Sequence, residues 1–360
     1  MSLSHMTQPA KVSNMDSAVT QGLSSSQMEE MVHALYQGFF GRGAEPKGVR
    51  YWAGRIQAGE SALHVLCGLL LSSEHQARKV LGENAQDLSM KLGKAIDGIP
   101  SVTPLVVVDV GAQAMEREGH IYSPLLSHAK GRVVGFEPLE HRRRERELAE
   151  TKIDLSMRAA FIGDGNRHTF HINSPDATSS LLPLNNAVIG ELVDLCGFET
   201  VSTESVATIT LDEAISDVVR VDFLKLDIQG FEYAALAHAR SVLSRTLAVH
   251  CEVEFLPLYQ GQALFSEIDL LLRESGFRLV DFSDLRRYAF KCGPLASGDQ
   301  LGWGDAVYFK EAGMISDPIC LLIQAFIAVA VYGKLSLARS LVQEYDHRAG
   351  TSYDSLFSGY

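Results

Sequence analysis

The stretch VVVDVGAQAMEREGHIY, Val106 to Tyr122, decides how the rest of the chain is read. It opens with three valines, an aspartate, a valine and a glycine. An apolar run without polar alternation predicts a strand buried on both faces, as in a parallel sheet. The aspartate and glycine that close it predict a hand-over to a ligand-binding loop, because a residue without Cβ lets the backbone approach a ligand. A loop built for pyrophosphate continues with glycines at fixed steps. Here the next glycine after Gly111 is Gly119, and the charged run Glu116-Arg117-Glu118 lies between them. The strand is therefore clear, and the cofactor is the open question.

Outward from this strand, β-branched runs alternate with helical stretches. LVVVDV, RVVGFEP, IDLSMRAAFI, VDFLKLDIQ, LAVHCEVEF, FRLVDFS and DAVYFK read as strands; Tyr122–Ala129, LEHRRRERELAE, GFEYAALAHARSVL and ALFSEIDLLLRESG read as helices. The alternation predicts an α/β fold, a doubly wound and mostly parallel sheet with helices on both faces. No helix separates the last two strands, so an antiparallel pair is expected at one end. An irregular insert, Gly163 to Thr210, carries RHTFHI and STESVATITL, expected as extra strands near the sheet edge.

Four segments are expected along the chain. Residues 1–23 are polar and lack a signal-peptide core, and read as a disordered tail. Residues 24–98 contain no strand signal; SSSQMEEMVHALYQGFF has a serine N-cap region and apolar residues at helical spacing, so this is a small helical domain. Residues 99–312 hold the α/β domain. Residues 313–360 return to helix after Asp317-Pro318, with Gly333 between two apolar-faced segments, either a hairpin packed on the domain or a homodimer contact.

Composition narrows the function. Hydrophobic residues make up 46% and charged residues 21%, as in a globular protein, and the formal net charge of -12 argues against general nucleic-acid binding. The basic run His141-Arg142-Arg143-Arg144 reads as the solvated start of a helix. Five scattered cysteines without a CxxC pair indicate neither a zinc site nor a disulfide framework, and fit the cytoplasm. The longest apolar run, Ile319 to Tyr332, is interrupted by Gln324 and is too short to span a bilayer.

In a doubly wound sheet the ligand sits beyond the C-terminal ends of the strands. Acidic residues stand at or near several of those ends: Asp109 before Gly111, Glu137, Asp227 with Glu232 just after, and Glu252 and Glu254 beside His250. Such a set repels itself unless a ligand or cation meets it. Glu137, ending the second strand, offers two oxygens to the two hydroxyls of a ribose. The same logic serves NAD and S-adenosylmethionine (SAM). The loop after the first strand separates them: it has no GxGxxG for a pyrophosphate, and an acidic rim suits the cationic sulfonium and amine of SAM. His250 reads as a core histidine, and no spacing demands a metal ion.

The segments VVDVGA, VVGFEP, SSLLP, TLDEAI, FLKLDIQGFEYAAL, CEVEFLPLYQGQALFSEIDLLLRESGFRLVDF and DAVYFK occur in the order seen in FkbM-type SAM-dependent methyltransferases, which this chain resembles over about Pro104 to Lys310. The resemblance implies a class I methyltransferase-like Rossmann fold and methyl transfer from SAM, leaving S-adenosylhomocysteine (SAH), to a hydroxyl of a sugar, glycan or polyketide-type acceptor. It implies cofactor contacts at Asp109, Gly111, Glu137, Ser179 and Ser180, and a methyl-transfer centre at Asp227, Gly230 and Glu232. Candidate bases are Asp227 and Glu232, then Glu254. The family usually reads GANxGxxS after its first strand; here Gln113 replaces the asparagine, and Ala114–Glu118 is read as an insertion. ALYQGFFGRGAEPKGVRYWAGRIQAGES resembles a bacterial helical domain of pattern LYxxxLGRxPDxxGLxYW, matching it at Tyr36, Arg42, Pro46, Gly48, Tyr51 and Trp52; the aromatic residues read as core, with sugar stacking on Trp52 as the alternative. The rival readings for the whole chain are a catalytically weakened glycan- or partner-binding scaffold and an NAD-dependent sugar-modifying enzyme.

Overall fold

The computed structural model describes residues 24–40, 46–57, 65, 73–102, 104–113, 119–128, 130–292 and 298–360. The expected tail 1–23, most of the turn around Gly41–Pro46, the first part of the helix expected from Ser61, and the insertion Ala114–Glu118 lie outside the described residues. The chain divides into two compact units, Met1–Asn84 and Ala85–Tyr360.

In the first unit, helix α1 (Ser25–Phe40) begins at Ser24. The Ser24 hydroxyl accepts from the Gln27 amide and the Gln27 side chain accepts from the Ser24 amide, so two otherwise orphaned donors are satisfied reciprocally. Helix α2 (Pro46–Gln57) packs on it through Val49, Trp52, Ala53 and Ile56, against Met28 and Val32. The Trp52 indole donates to the Tyr36 hydroxyl at 3.3 Å, and Trp52 is buried while Tyr51 is exposed. Trp52 is thus a core residue here, with no ring face left for a sugar.

Helix α3 (Ser73–Asp97) leads into the second unit, whose frame is a seven-stranded sheet. Its strands are β1 (Val106–Val110), β2 (Arg132–Phe136), β3 (Asp154–Arg158), β7 (Val221–Leu226), β8 (Thr246–Glu254), β9 (Phe277–Tyr288) and β10 (Gln300–Lys310), in the order β3-β2-β1-β7-β8-β10-β9. The five from β3 to β8 are mutually parallel, and β10 runs antiparallel between β8 and β9. The expected antiparallel pair is therefore present, with β9 rather than β10 at the sheet edge.

Alternate residues of each central strand enter two different cores. Val107, Val133, Phe223, Ala248 and Val307 face Leu88, Leu92 and Ile96 of α3 and the C-terminal helices α11 (Ile319–Ala330) and α12 (Leu335–Ala349). Val108, Val134, Leu224, Val249 and Ala306 face the other layer. That layer comprises α7 (Leu211–Ala214), α8 (Glu232–Ala237), α9 (Arg240–Ser244) and α10 (Phe265–Glu274). Burial on both faces is why VVVDV shows no polar alternation. Residues Leu321 to Val329 of α11 are all buried, so the apolar faces that suggested a homodimer contact are covered within the chain itself. The Asp317 carboxylate accepts from the Ile319 amide at the start of this helix.

The remaining short helices are α4 (Ser123–Leu126), α5 (Glu140–Ala149) and α6 (Asn186–Glu191). The insert differs from expectation. IDLSMRAAFI breaks after Arg158, and β4 (Phe161–Ile162), β5 (Arg167–Ser174) and β6 (Glu199–Ile209) form a separate three-stranded sheet, β4-β6-β5, rather than extending the main one. Phe170 and Val206 of this small sheet pack with Leu181 and Phe231, which places its base beside the ends of the central strands. No helix among the described residues is long and apolar enough to cross a membrane.

Candidate functional site

The cleft lies where strand order reverses, beyond the C-terminal ends of β1, β2 and β7. It is lined by Val110, Gly111 and Gln113 from the first strand and loop, Phe136 to Leu139 from the second, Phe161 and Ile162 from β4, Ser179 to Leu181, and Asp227 to Gln229.

Gly111 is required by geometry. Its φ is +84°, and a Cβ there would lie 1.9 Å from the Asp227 carbonyl oxygen. Its amide donates to the Phe136 carbonyl at 3.1 Å, while the Asp227 amide donates to the Val110 carbonyl at 3.0 Å. Three strand ends thus meet at one point with no room for a side chain. Glu137, just beyond β2, is 8% exposed and lines the cleft. One of its oxygens accepts from the Leu139 amide at 2.8 Å, and burial raises its pKa above the usual carboxylate range. Arg143 donates to the Glu137 and Pro138 carbonyls, so part of the run expected to be solvated ties down the acidic turn.

Asp109 does not line the cleft. It is fully buried on the sheet face toward α3, where its Oδ2 accepts from Arg146 at 2.7 Å and from the Tyr122 hydroxyl at 2.5 Å. Lys225 stands 3.7 Å from the other oxygen. Burial alone would raise the Asp109 pKa; Lys225 and Arg146 outweigh it and bring it below the usual value. The cofactor contact expected of Asp109 is replaced by a structural one, because an inward-facing residue one step before the strand end points beneath the loop rather than into it. Arg146 itself was not legible as a site residue. The signal was indirect: EHRRRERELA holds a single large apolar residue, Leu148, too few to cover a sheet face, so a long polar side chain had to take part in the packing.

Ser179 and Ser180 line the cleft on the segment Pro175–Leu182, which forms part of its wall. The Ser180 hydroxyl donates to the Gln229 carbonyl at 2.6 Å and accepts from the Leu182 amide, and Ser179 Oγ accepts from the Asn173 amide at 3.0 Å. Arg142 from α5 pairs with Asp176 of the same segment.

Asp227 lines the cleft opposite Glu137. Burial would raise its pKa, but Lys225, donating at 3.3 Å, and Gln229, donating at 3.0 Å, bring it below the usual value, so this carboxylate is ionised at neutral pH. Glu232 and Glu254 are not brought to the cleft surface. Glu232 is 1% exposed at the start of α8, its Oε1 accepting from the Ile228 amide at 2.7 Å, and burial pushes its pKa up to about 7. Glu254 is 2% exposed at the end of β8, and burial together with neighbouring Glu232 raises it well above the carboxylate range. The same holds for Glu252, which accepts from Gln229 at 2.9 Å. His250 faces the opposite core, stacked between Phe223 and Tyr332 and 3.1 Å from the Tyr332 hydroxyl. Gln229 and Tyr259 are polar groups of the site that the sequence reading passed over.

The sequence from residue 109 to 279 matches the family model of the methyltransferase FkbM domain, and residues 15–79 match a domain of unknown function (DUF4214). No curated protein matches the sequence. Among solved structures, a magnesium protoporphyrin IX methyltransferase from Synechocystis PCC 6803 with bound SAM is 11% identical, over 81% of this chain and 99% of that one, with a TM-score of 0.31. A 1,6-didemethyltoxoflavin-N1-methyltransferase from Burkholderia thailandensis with bound 1,6-didemethyltoxoflavin and S-adenosylhomocysteine is 18% identical, over 69% and 88%, with a TM-score of 0.26. At such scores the likeness adds nothing to the strand order already described.

Proposed function

We propose that this chain, which carries a SAM-dependent methyltransferase domain, transfers the methyl group to a hydroxyl of a sugar, glycan or polyketide-type acceptor. The observation that carries this reading is the division of carboxylates about one cleft: Glu137 on one wall, and an ionised Asp227 on the other.

The cofactor fits the residues present. Gly111 lines the cleft where the strand ends close on one another, and Glu137 offers a carboxylate suited to two ribose hydroxyls. Ser179 and Ser180 line the same cleft. When bound, SAM supplies an electrophilic methyl group on a sulfonium. The chain must then place an acceptor oxygen in line with that methyl and take the hydroxyl proton. Asp227 is suited to accept the proton at a carboxylate oxygen, since Lys225 keeps it ionised. Glu232 and Glu254 stand behind it, and their raised pKa values limit the repulsion that a fully charged cluster would create. Cys196, Cys251 and Cys320 are free thiols, which supports a reducing, cytoplasmic setting.

Calorimetric titration with SAM, SAH and NAD tests the reading. SAM and SAH should bind and NAD should not, and Glu137→Ala should lose at least about 2 kcal/mol of SAH affinity, the order expected for a carboxylate's charge-assisted hydrogen bonds. Binding of NAD alone would support the oxidoreductase alternative. Absence of all three would leave the scaffold reading, and an unchanged SAH affinity in Glu137→Ala would refute the ribose role.

A further inference from the structure

We propose that Tyr259 is a positioning residue that latches the segment Pro175–Leu182 in the cleft wall to the loop bearing Asp227; this rests on the cofactor reading of the same cleft. The Tyr259 hydroxyl lies 2.9 Å from the Thr178 carbonyl and 3.0 Å from Gln229 Oε1. Thr178 belongs to that wall segment, and Gln229 lies two residues beyond Asp227. One hydroxyl proton therefore faces two acceptors on two different walls.

Gln229 transmits the contact. Its side-chain nitrogen donates both hydrogens, to Asp227 at 3.0 Å and to Glu252 at 2.9 Å. With the nitrogen turned to the ionised Asp227, Oε1 faces Tyr259; the opposite amide orientation would set Oε1 against the Asp227 carboxylate, two acceptors in contact. Its carbonyl accepts from Ser180, a second tie to the same segment. Gln229 keeps this arrangement at a φ of +56°, which non-glycine residues adopt rarely and at a cost of order 1 kcal/mol or more. Tyr259 is in turn fixed by its surroundings. It is 3% exposed, its amide donates to Gln262, and its flanking residues pair with the chain at Pro183 and Asn185. Gly230, at φ +94°, makes room for the ring: a Cβ there would lie 2.9 Å from it.

The segment has a second clasp, Arg142 with Asp176, but the Asp176 side chain is 52% exposed. Exposed ion pairs contribute little, whereas a buried hydrogen bond costs more to break because its partners are left dry. The buried latch should therefore dominate.

Tyr259→Phe keeps the ring and removes the hydroxyl. In titration with SAH, the affinity should fall roughly tenfold. Hydrogen exchange should show that SAH no longer protects the Ser179 and Ser180 amides, while the β8 amides stay as in the wild type and the thermal midpoint without ligand falls by only a few degrees. Asp176→Asn should weaken SAH less than Tyr259→Phe does. Equal affinity and equal protection in Tyr259→Phe would overturn the inference while leaving the cofactor reading intact, as would a larger effect from Asp176→Asn. A wild type that binds no SAH would instead overturn the cofactor reading, and the inference with it.

Discussion

Replacing Arg146 with methionine should destabilise the second unit far more than a helix-surface arginine would. Arg146 and Asp109 are both fully buried, 2.7 Å apart between Nη1 and Oδ2. Two unit charges about 4 Å apart attract by about 4 kcal/mol at an effective dielectric of 20. Removing one partner of a buried pair typically costs about 3–5 kcal/mol, because the other charge stays dry and uncompensated. Lys225, 3.7 Å from the other Asp109 oxygen, keeps a partial counter-charge, and the Tyr122 hydroxyl keeps one hydrogen bond. The lower end, about 3 kcal/mol, is therefore expected. For a unit of this size that corresponds to a fall in thermal midpoint of about 6–12 °C. The assay is thermal and urea unfolding of the full chain, followed by circular dichroism at neutral pH. The double variant Arg146→Met with Asp109→Asn removes the stranded charge and should recover most of the loss. The sign with pH can be checked as well. The Asp109 pKa is lowered in the folded state, so its contribution is present above the unfolded value, 3.8, and disappears as pH falls through the lower folded value. The gap between wild type and Arg146→Met should accordingly narrow below that pH. A cost under about 1 kcal/mol for Arg146→Met, or a double variant whose loss is the sum of the single losses, would refute the argument that this network holds the first strand and its loop in place.

Gly111→Ala should be more disruptive than its size suggests, by at least about 2 kcal/mol in unfolding free energy, since it combines an unfavourable φ with a Cβ 1.9 Å from the Asp227 carbonyl; SAH binding should be lost with it, as read by calorimetry below the transition. Glu232 carries a folded-state pKa of about 7 against an ordinary 4.5, so the folded state binds more protons than the unfolded one between these values, and stability should decline as pH rises across that window. Glu232→Gln should flatten that decline in urea midpoints measured at a series of pH values.

Much of the frame follows from local chemistry. The unbroken VVVDV, the alternation of strands and helices, and the absence of GxGxxG are properties of the chain itself, and they predicted a doubly wound sheet whose first loop serves no pyrophosphate. The places of Glu137 and Gly111 in the cleft lining were legible because they follow from strand boundaries.

What the tertiary structure alone decided is where each carboxylate points and what meets it. Asp109 and Asp227 look alike in sequence, each closing a hydrophobic strand. Asp109 lies within its strand, level with Lys225 and bonded to Arg146, whereas Asp227 stands two residues beyond Lys225, past its strand's end, where it reaches the cleft; the difference is one of height along the strands. Arg146, Gln229 and Tyr259 act through partners distant in sequence: Arg146 lies 37 residues from Asp109, and Tyr259 lies 81 from Thr178. No local pattern encodes such contacts. The separate sheet of β4, β5 and β6 escaped the same way, since strand propensity says that a segment is extended but not which edge it pairs with. The sequence by itself determined the kind of fold and the rim on which the cleft lies; packing determined which of the rim's charges are paired within the core and which face the cleft, because desolvation and pairing depend on what the folded chain brings within a few ångströms.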